Sequence, residues 1–242
     1  MRAINWEFKN RALVFGLIFG FSFSAYFLDR QNSAAALANW LGAARGIDSN
    51  FIARSLFVRA ACLLVVAALI RTWASSYLHA NVVYASEVKT ASLVADGPYR
   101  HTRNPLYFAN ALLALGMGAM MSRIGFFVAI AAMLVFCYRL IFREESELLA
   151  SQGEHYRRYK NAVPRLWPAL HPRTASAGRE GSWMEGFKAE FWCWGFAAAV
   201  AAFAITLNTT AFFVILGASV AVLWLSTLVI DKKTRGPRPA DP

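Results

Sequence analysis

Six apolar runs, each about 15 to 20 residues long, constrain the fold of this chain more than any other sequence feature. A helix needs about 20 mainly apolar residues to cross a bilayer, and in lipid only helices or closed barrels satisfy every backbone polar group. Charged residues make up 16% of the 242 residues, whereas soluble domains carry about 25%. The sequence therefore predicts an all-α, polytopic membrane protein with about six transmembrane helices. The runs are residues 12–28, 56–70, 107–121, 124–142, 191–207 and 211–230.

Most basic residues lie on one side of these runs. If the N-terminus is cytoplasmic, the cytoplasmic segments hold 19 of the 25 Lys and Arg residues, and the external segments hold four. Because cytoplasmic loops are enriched in Lys and Arg, both termini and both long polar loops are predicted to face the cytoplasm. Independently of this distribution, we take a bacterial inner membrane as the expected location. The net charge of +11 then indicates loops beside anionic lipid and no nucleic-acid partner. Cleavage of the first run as a signal peptide is the alternative to a retained helix.

The three cysteines, Cys62, Cys137 and Cys193, each lie in an apolar run. No two of them form a CxxC pair, and no two histidines have metal-ligand spacing. The sequence therefore predicts neither a disulfide framework nor a metal site. We interpret the cysteines as small apolar packing residues.

Nearly all reactive side chains fall in two cytoplasmic segments, residues 96–107 and 143–159. These segments stand at the two ends of one predicted helical hairpin, which leaves the cytoplasmic face and returns to it. We therefore expect residues 104–107 to lie close to Glu144 in space, although roughly forty positions separate them.

The start of the third predicted span is suited to an anion. Pro105 is tolerated in the first turn of a helix, and the preceding Asn104 is biased away from helical geometry. The free backbone N–H groups of that turn, beside Tyr99 and Arg103, are suited to an anionic group such as an amino-acid carboxylate.

Four charged residues lie where the fourth predicted span reaches the surface. Arg139 and Arg143 are four apart and share a helical face, while Glu144 and Glu145 follow directly. An arginine inside a span, such as Arg139, indicates a function or a side chain that snorkels to the interface. Each of these segments taken alone is typical of an ordinary turn or a solvated helix end.

Together and in order, the segments resemble the isoprenylcysteine carboxyl methyltransferase and phospholipid methyltransferase superfamily. The chain reads GPYRHTRNPLYFAN, then a hairpin, then EESELLASQGEHYRRYKNAVPRLWP, and the resemblance covers about two-fifths of its length, residues 71–168. It implies a helical membrane fold that binds S-adenosylmethionine at the cytoplasmic surface. By position, the cofactor-binding residues it implies are Ser92, Leu93, Val94, Tyr99, Asn104, Pro105, Leu106, Tyr107 and Glu144.

The sequence departs from the family pattern at four positions. Asn104 stands where histidine is common, Ala109 replaces a glycine, and Gln152 replaces a phenylalanine. Ala91 stands where the carboxyl methyltransferases have a histidine, which weakens the case for a prenylcysteine carboxylate as acceptor.

The resemblance predicts direct methyl transfer to a lipid-like, isoprenoid or thiol acceptor that enters from the bilayer. Arg139 or Arg143 would hold an anionic acceptor, and Glu145 would serve as the base for a neutral amine.

Two alternatives remain open. One is an NADPH-dependent membrane reductase, in which Arg100 and Arg103 would contact phosphates. The other is a transporter or structural subunit, but within the predicted spans only Arg59 and Arg139 are ionisable, and the polar groups crowd one face. This pattern favours a site at the membrane surface over a path across the bilayer.

These expectations divide the chain into five parts. Residues 1–70 hold two transmembrane helices, 71–171 the methyltransferase core, 172–190 a linker, 191–230 a second hairpin with no assigned role, and 231–242 a basic tail.

Overall fold

A computed structural model describes residues 2–78 and 95–234 of the chain, with side chains through residue 222. The described residues form eight α-helices and two short 3-10 helices, and they include no β-strand. The predicted all-α architecture is therefore confirmed. The α-helices are α1 (Asn5–Lys9), α2 (Arg11–Ser24), α3 (Ser33–Arg45), α4 (Ser49–Tyr77), α5 (Pro105–Gly118), α6 (Arg123–Ala162), α7 (Trp183–Thr206) and α8 (Thr209–Thr234), and the 3-10 helices are Ala25–Phe27 and Gly97–Arg100.

Each predicted apolar run overlaps one of these helices. The helices α4, α6 and α7 are long and apolar enough to cross a membrane, and Arg11–Phe27, Pro105–Gly118 and Thr209–Val222 are shorter apolar helices. Such a combination of long and shorter apolar helices is typical of a polytopic membrane protein. Several helices exceed their predicted spans: α4 continues seven residues past Ile70, α7 begins eight residues before Phe191, and α6 continues to Ala162.

The segment after the first apolar helix forms the additional helix α3. Asn32 caps this helix by accepting a hydrogen bond of 2.9 Å from the Ala35 N–H. Gly46 ends it in the left-handed region, with φ of +65°. Trp40, on this helix, is 66% exposed.

The helix α4 lies at the centre of the bundle, between α5 and α7. Small residues let these helices approach closely, as membrane helices require. A Cβ at Gly186 would collide with the backbone of α4 at Thr72, and one at Gly116 would collide with Leu64. The buried core around α4 consists of Ala60, Ala61, Leu64, Ala67, Ala68, Leu113, Met117, Cys193, Ala197 and Val200.

The chain between α6 and α7 packs along the Gly97–Arg100 turn. Backbone N–H groups of Ala169 and Arg173 donate to the carbonyls of His101 and Arg100, at 2.9 and 2.8 Å. Asp96 accepts hydrogen bonds from Ser176 Oγ and from backbone N–H groups of this chain segment. The predicted linker thus bonds to the turn, and from Trp183 onward it is already part of α7.

Candidate functional site

Tyr107 and Glu144 meet across the hairpin formed by α5 and α6. Tyr107 lies in the first turn of α5, and its hydroxyl donates a hydrogen bond of 2.6 Å to Glu144 Oε1. Tyr107 is buried and Glu144 is half-buried. The expectation that the start of the third predicted span lies beside Glu144 is therefore confirmed. A carboxylate accepts about four hydrogen bonds, so this contact orients Glu144 and uses part of its capacity.

The Gly97–Arg100 turn is packed between α4 and the end of α6. Gly97 has a φ of +57°, and a Cβ there would collide with the Tyr77 ring, so the turn requires glycine. Tyr99 is buried, and the Tyr159 hydroxyl donates to its carbonyl at 2.8 Å. Burial, together with the charges of nearby groups, raises the pKa of Tyr99 well above its usual range, so its hydroxyl is a neutral donor.

The start of α5 combines two features that favour an anion. No described side chain caps this helix, because Asn104 instead donates from Nδ2 to the Arg165 carbonyl at 2.8 Å. The Arg103 side chain is only 6% exposed, and its buried Nε has no acceptor among the described residues. A helix N-terminus carries partial positive charge, and an unpaired buried donor is costly. Pro105 is buried and Leu106 is half-buried in the same turn.

Glu145 lies beneath this turn and is held by two arginines. It is 6% exposed, Arg103 Nη2 lies 2.9 Å from its Oε1, and Arg165 Nη2 lies 3.1 Å from its Oε2. The Arg103 Nη1 also donates to the Lys160 carbonyl. The arrangement joins α6 to the chain after it, and the role of Glu145 as a base stays a prediction.

Arg139 and Arg143 both contact the N-terminal helix α1. Arg139 Nη2 donates to both Glu7 carboxylate oxygens, at 2.7 and 3.0 Å. Arg143 pairs with Glu147 at 2.8 Å and stacks over the Phe8 ring, 4.7 Å from its centroid. Phe8 is 2% exposed and packs in the same apolar cluster as Tyr107. The two candidate acceptor arginines are therefore brought together beside α1, whose contribution to the site was not predicted.

Two further charged residues were missed at the sequence level. Arg71 and Glu190 stand one residue beyond the predicted ends of their spans, and the longer helices of the structure place them inside α4 and α7. Both residues are buried in helices that extend beyond the predicted spans, and the spans themselves stay a prediction. The available signal for each residue was an isolated charge directly beside an apolar run. Hydropathy alone interprets such a charge as the end of the span.

The described residues contain no group of three His, Cys, Asp or Glu side chains that could hold a metal ion. Cys137 and Cys193 are buried, and Cys62 is exposed. Ser92, Leu93 and Val94 lie outside the described residues.

Two curated relatives are similar to parts of this chain. The cobalt-zinc-cadmium resistance protein CzcN of Cupriavidus metallidurans is 34% identical over 88 residues, which are 36% of this chain and 41% of that protein. The nickel-cobalt-cadmium resistance protein NccN of Alcaligenes xylosoxydans xylosoxydans is 27% identical over 123 residues, 51% of this chain and 54% of that protein. The chain thus spans about half the length of these relatives, or less. No solved structure shows a significant match.

The site described above falls largely within one family match. Residues 56–153 match the phospholipid methyltransferase family. This segment includes most of α4, the Gly97–Arg100 turn, α5 and Glu144. The resemblance drawn from the motifs is therefore confirmed: residues 56–153 have the sequence pattern of the phospholipid methyltransferase family, within the superfamily that the motifs indicated.

Proposed function

We propose that this protein is an integral membrane methyltransferase that uses S-adenosylmethionine and acts on a lipid-like, isoprenoid or thiol acceptor at the cytoplasmic face. The observation that carries the proposal is the hydrogen bond between Tyr107 and Glu144 across the α5–α6 hairpin. It brings two motifs, far apart in the chain, into one site inside the family match.

The residues present fit the polar groups of S-adenosylmethionine. The uncapped start of α5 and the unpaired Arg103 Nε suit the carboxylate of the amino-acid part. Glu144, oriented by Tyr107, suits ribose hydroxyls or the ammonium group, because a carboxylate accepts hydrogen bonds from both. Asn104 is buried at the same turn and retains an amide oxygen as acceptor.

The protein's part in the reaction is to bind, orient and exclude water. When bound, S-adenosylmethionine supplies an already activated methyl group, so no covalent enzyme intermediate is needed. Tyr99 and Tyr107 are buried and shield the site from water. The first turn of α5 fixes the orientation of the bound molecule, since effective transfer depends on alignment with the nucleophile.

The acceptor would approach beside α1. Arg139 and Arg143 lie there, and either would neutralise a carboxylate or thiolate acceptor. For a neutral amine acceptor, Glu145 would have to separate from Arg103 and Arg165 before it could take a proton. The geometry therefore favours an anionic acceptor and a supporting role for Glu145.

The two arginines that a dinucleotide would need both have contacts within the protein. Arg100 Nε donates to the Thr174 carbonyl at 2.8 Å, and Arg103 pairs with Glu145 while its Nε has no described acceptor. The match of residues 56–153 to the phospholipid methyltransferase family, and not these contacts, favours the methyltransferase over the NADPH-dependent reductase. The two curated relatives are named for metal resistance. The described residues of this chain contain no side-chain cluster that suits a metal ion. The acceptor class proposed here therefore rests on the arginines beside α1 and not on the names of the relatives.

Transfer of a labelled methyl group tests the proposal. Purified protein in lipid nanodiscs is given methyl-labelled S-adenosylmethionine with isoprenoid carboxylates, lipid thiols or phospholipid amines in turn. We expect label in an extracted acceptor of one anionic class and stoichiometric S-adenosylhomocysteine. Oxidation of NADPH with no methyl transfer to any class would contradict the proposal.

A further inference from the structure

Arg71 of α4 and Glu190 of α7 form a buried ion pair between the two helices. Arg71 Nε lies 2.6 Å from Glu190 Oε2, and Arg71 Nη2 donates to Oε1 at 3.1 Å. The two side chains are 8% and 0% exposed. Ser75 donates a further hydrogen bond of 2.6 Å to Oε1, and the Arg71 guanidinium lies over the Trp192 ring, 5.0 Å from its centroid.

Stability alone does not account for this pair. The cost of removing two charges from water offsets most of their attraction, and apolar residues of similar volume often stabilise a protein at least as well. The helices α4 and α7 also have another polar contact, since Trp194 Nε1 donates to Thr72 Oγ1 at 3.1 Å. An ionisable pair within membrane helices therefore indicates a function.

The third helix that Arg71 contacts is α5. Arg71 Nη1 donates to Asn110 Oδ1 at 2.5 Å and lies 3.5 Å from the Leu106 carbonyl. Asn110 stands three residues after Tyr107, so both contacts fall on the first turns of α5. Glu190 thus sets the orientation of the Arg71 guanidinium. The Arg71 Nη1 group contacts α5, the helix that carries Leu106 and Tyr107.

The helix that carries Arg71 also packs against the turn before α5. A Cβ at Gly97 would collide with the ring of Tyr77, six residues after Arg71 on α4. Arg71 precedes the Gly97–Arg100 turn and α5 in the sequence, and Glu190 follows them. Glu190 lies outside the family match, which ends at residue 153.

We propose that Glu190 is a positioning residue for the cofactor site: it holds Arg71 against Asn110 and Leu106 and thereby fixes the first turn of α5. The α7–α8 hairpin, which the family match does not include, is then part of the binding unit and not only a membrane anchor. The inference rests on the proposed function, since Leu106 and Tyr107 are assigned to S-adenosylmethionine there.

Three variants separate positioning from stability. Glu190→Gln leaves Arg71 buried with a weaker partner. The double variant Arg71→Met, Glu190→Met removes both charges at similar volume, so it should restore thermal stability but not the contacts to α5. Thr72→Val is the matched control, because it breaks a hydrogen bond between the same two helices that does not involve α5.

Two measurements, in addition to the Tm from thermal unfolding, are made on each full-length variant in detergent. Calorimetry gives the Kd for S-adenosylhomocysteine, and hydrogen exchange read by mass spectrometry gives the protection of residues 105–110. We expect the double variant to bind at least tenfold more weakly than wild type and to exchange faster at 105–110, with a Tm close to wild type. Thr72→Val should match wild type in both measurements.

Two results would overturn the account in different ways. A double variant that binds as wild type does, with unchanged exchange at 105–110, would make the pair purely structural and overturn the inference. A folded wild type that does not bind S-adenosylhomocysteine, while the double variant still exchanges faster at 105–110, would overturn the proposed function and leave the role of the pair in fixing α5 supported.

Discussion

The Tyr107 hydroxyl donates a 2.6 Å hydrogen bond to Glu144 Oε1, and this bond joins the two ends of the α5–α6 hairpin at one face of the bundle. The partners are 37 positions apart in the sequence. A hydrogen bond of this length orients the Glu144 carboxyl group. Because both residues are assigned to the cofactor, a change to either one should alter its affinity more than the stability of the protein.

Removal of the Tyr107 hydroxyl should weaken cofactor binding. A hydrogen bond contributes about 0.5–1.5 kcal/mol, and 1.4 kcal/mol corresponds to a factor of ten. We therefore expect Tyr107→Phe to raise the Kd for S-adenosylhomocysteine severalfold, up to about tenfold, measured by calorimetry. Tyr138→Phe is the control, because Tyr138 lies on α6 and contacts the Phe142 ring. Equal effects of the two substitutions would count against an orienting role for Tyr107.

Replacement of Glu145 should reduce stability. Glu145→Gln breaks a buried contact with Arg103 and Arg165, and loss of one partner of a buried pair costs about 3–5 kcal/mol. Thermal unfolding should show a large drop in Tm. The control is Glu147→Gln, which changes a carboxylate that is 36% exposed and pairs with Arg143. This substitution should lower the free energy of unfolding by only about 0–1 kcal/mol. An unchanged Tm with lost transfer to an amine acceptor would instead assign Glu145 as the base.

The two arginines beside α1 should differ in their effect on the acceptor. Glu147, the partner of Arg143, is 36% exposed, whereas Arg139 and Glu7 are both 23% exposed and share two hydrogen bonds. An acceptor anion displaces the more solvated partner at lower cost. Arg143→Met should therefore raise the acceptor KM at least tenfold and leave the Kd for S-adenosylhomocysteine unchanged. A rise in KM for Arg139→Met alone would reverse the assignment.

Asp96 should make stability depend on pH in the acid range. Burial opposes its ionisation, but hydrogen bonds from Ser176, Arg179 and Ala177 prevail and lower the pKa of Asp96. The stabilisation is therefore complete above the usual carboxyl pKa of about 4 and is lost as the pH falls through the lower folded value. Between about pH 6 and pH 3, Tm should fall less in Asp96→Asn than in wild type. Parallel curves would show that Asp96 is not coupled to folding.

The sequence predicted the helices and the site across the hairpin because both depend on local pattern. Apolar length sets the spans, and a short hairpin must return residues 104–107 to the face where Glu144 emerges. The partners of the charged residues were not predictable in this way. Whether Glu145 faces Arg103, or Arg139 faces Glu7, depends on how helices far apart in the chain are rotated and packed.

The ends of α4 and α7 show a second limit of the sequence pattern. The apolar runs end at Ile70 and begin at Phe191, so the flanking Arg71 and Glu190 were assigned to cytoplasmic loops. In the structure each charge is neutralised by the other inside the bundle, and both helices continue. Arg71 and Glu190 are 119 positions apart in the sequence. The sequence around either residue therefore does not indicate that the other is its partner.

Calorimetry of detergent-purified protein with S-adenosylmethionine and S-adenosylhomocysteine shows whether this site holds the cofactor, with Glu144→Gln and NADPH as comparisons. We expect saturable binding of both sulfur compounds in the micromolar range, at least tenfold weaker binding by Glu144→Gln at unchanged Tm, and no heat with NADPH. A folded wild-type protein that binds neither sulfur compound, or binds NADPH in their place, would contradict the claim that this site holds S-adenosylmethionine.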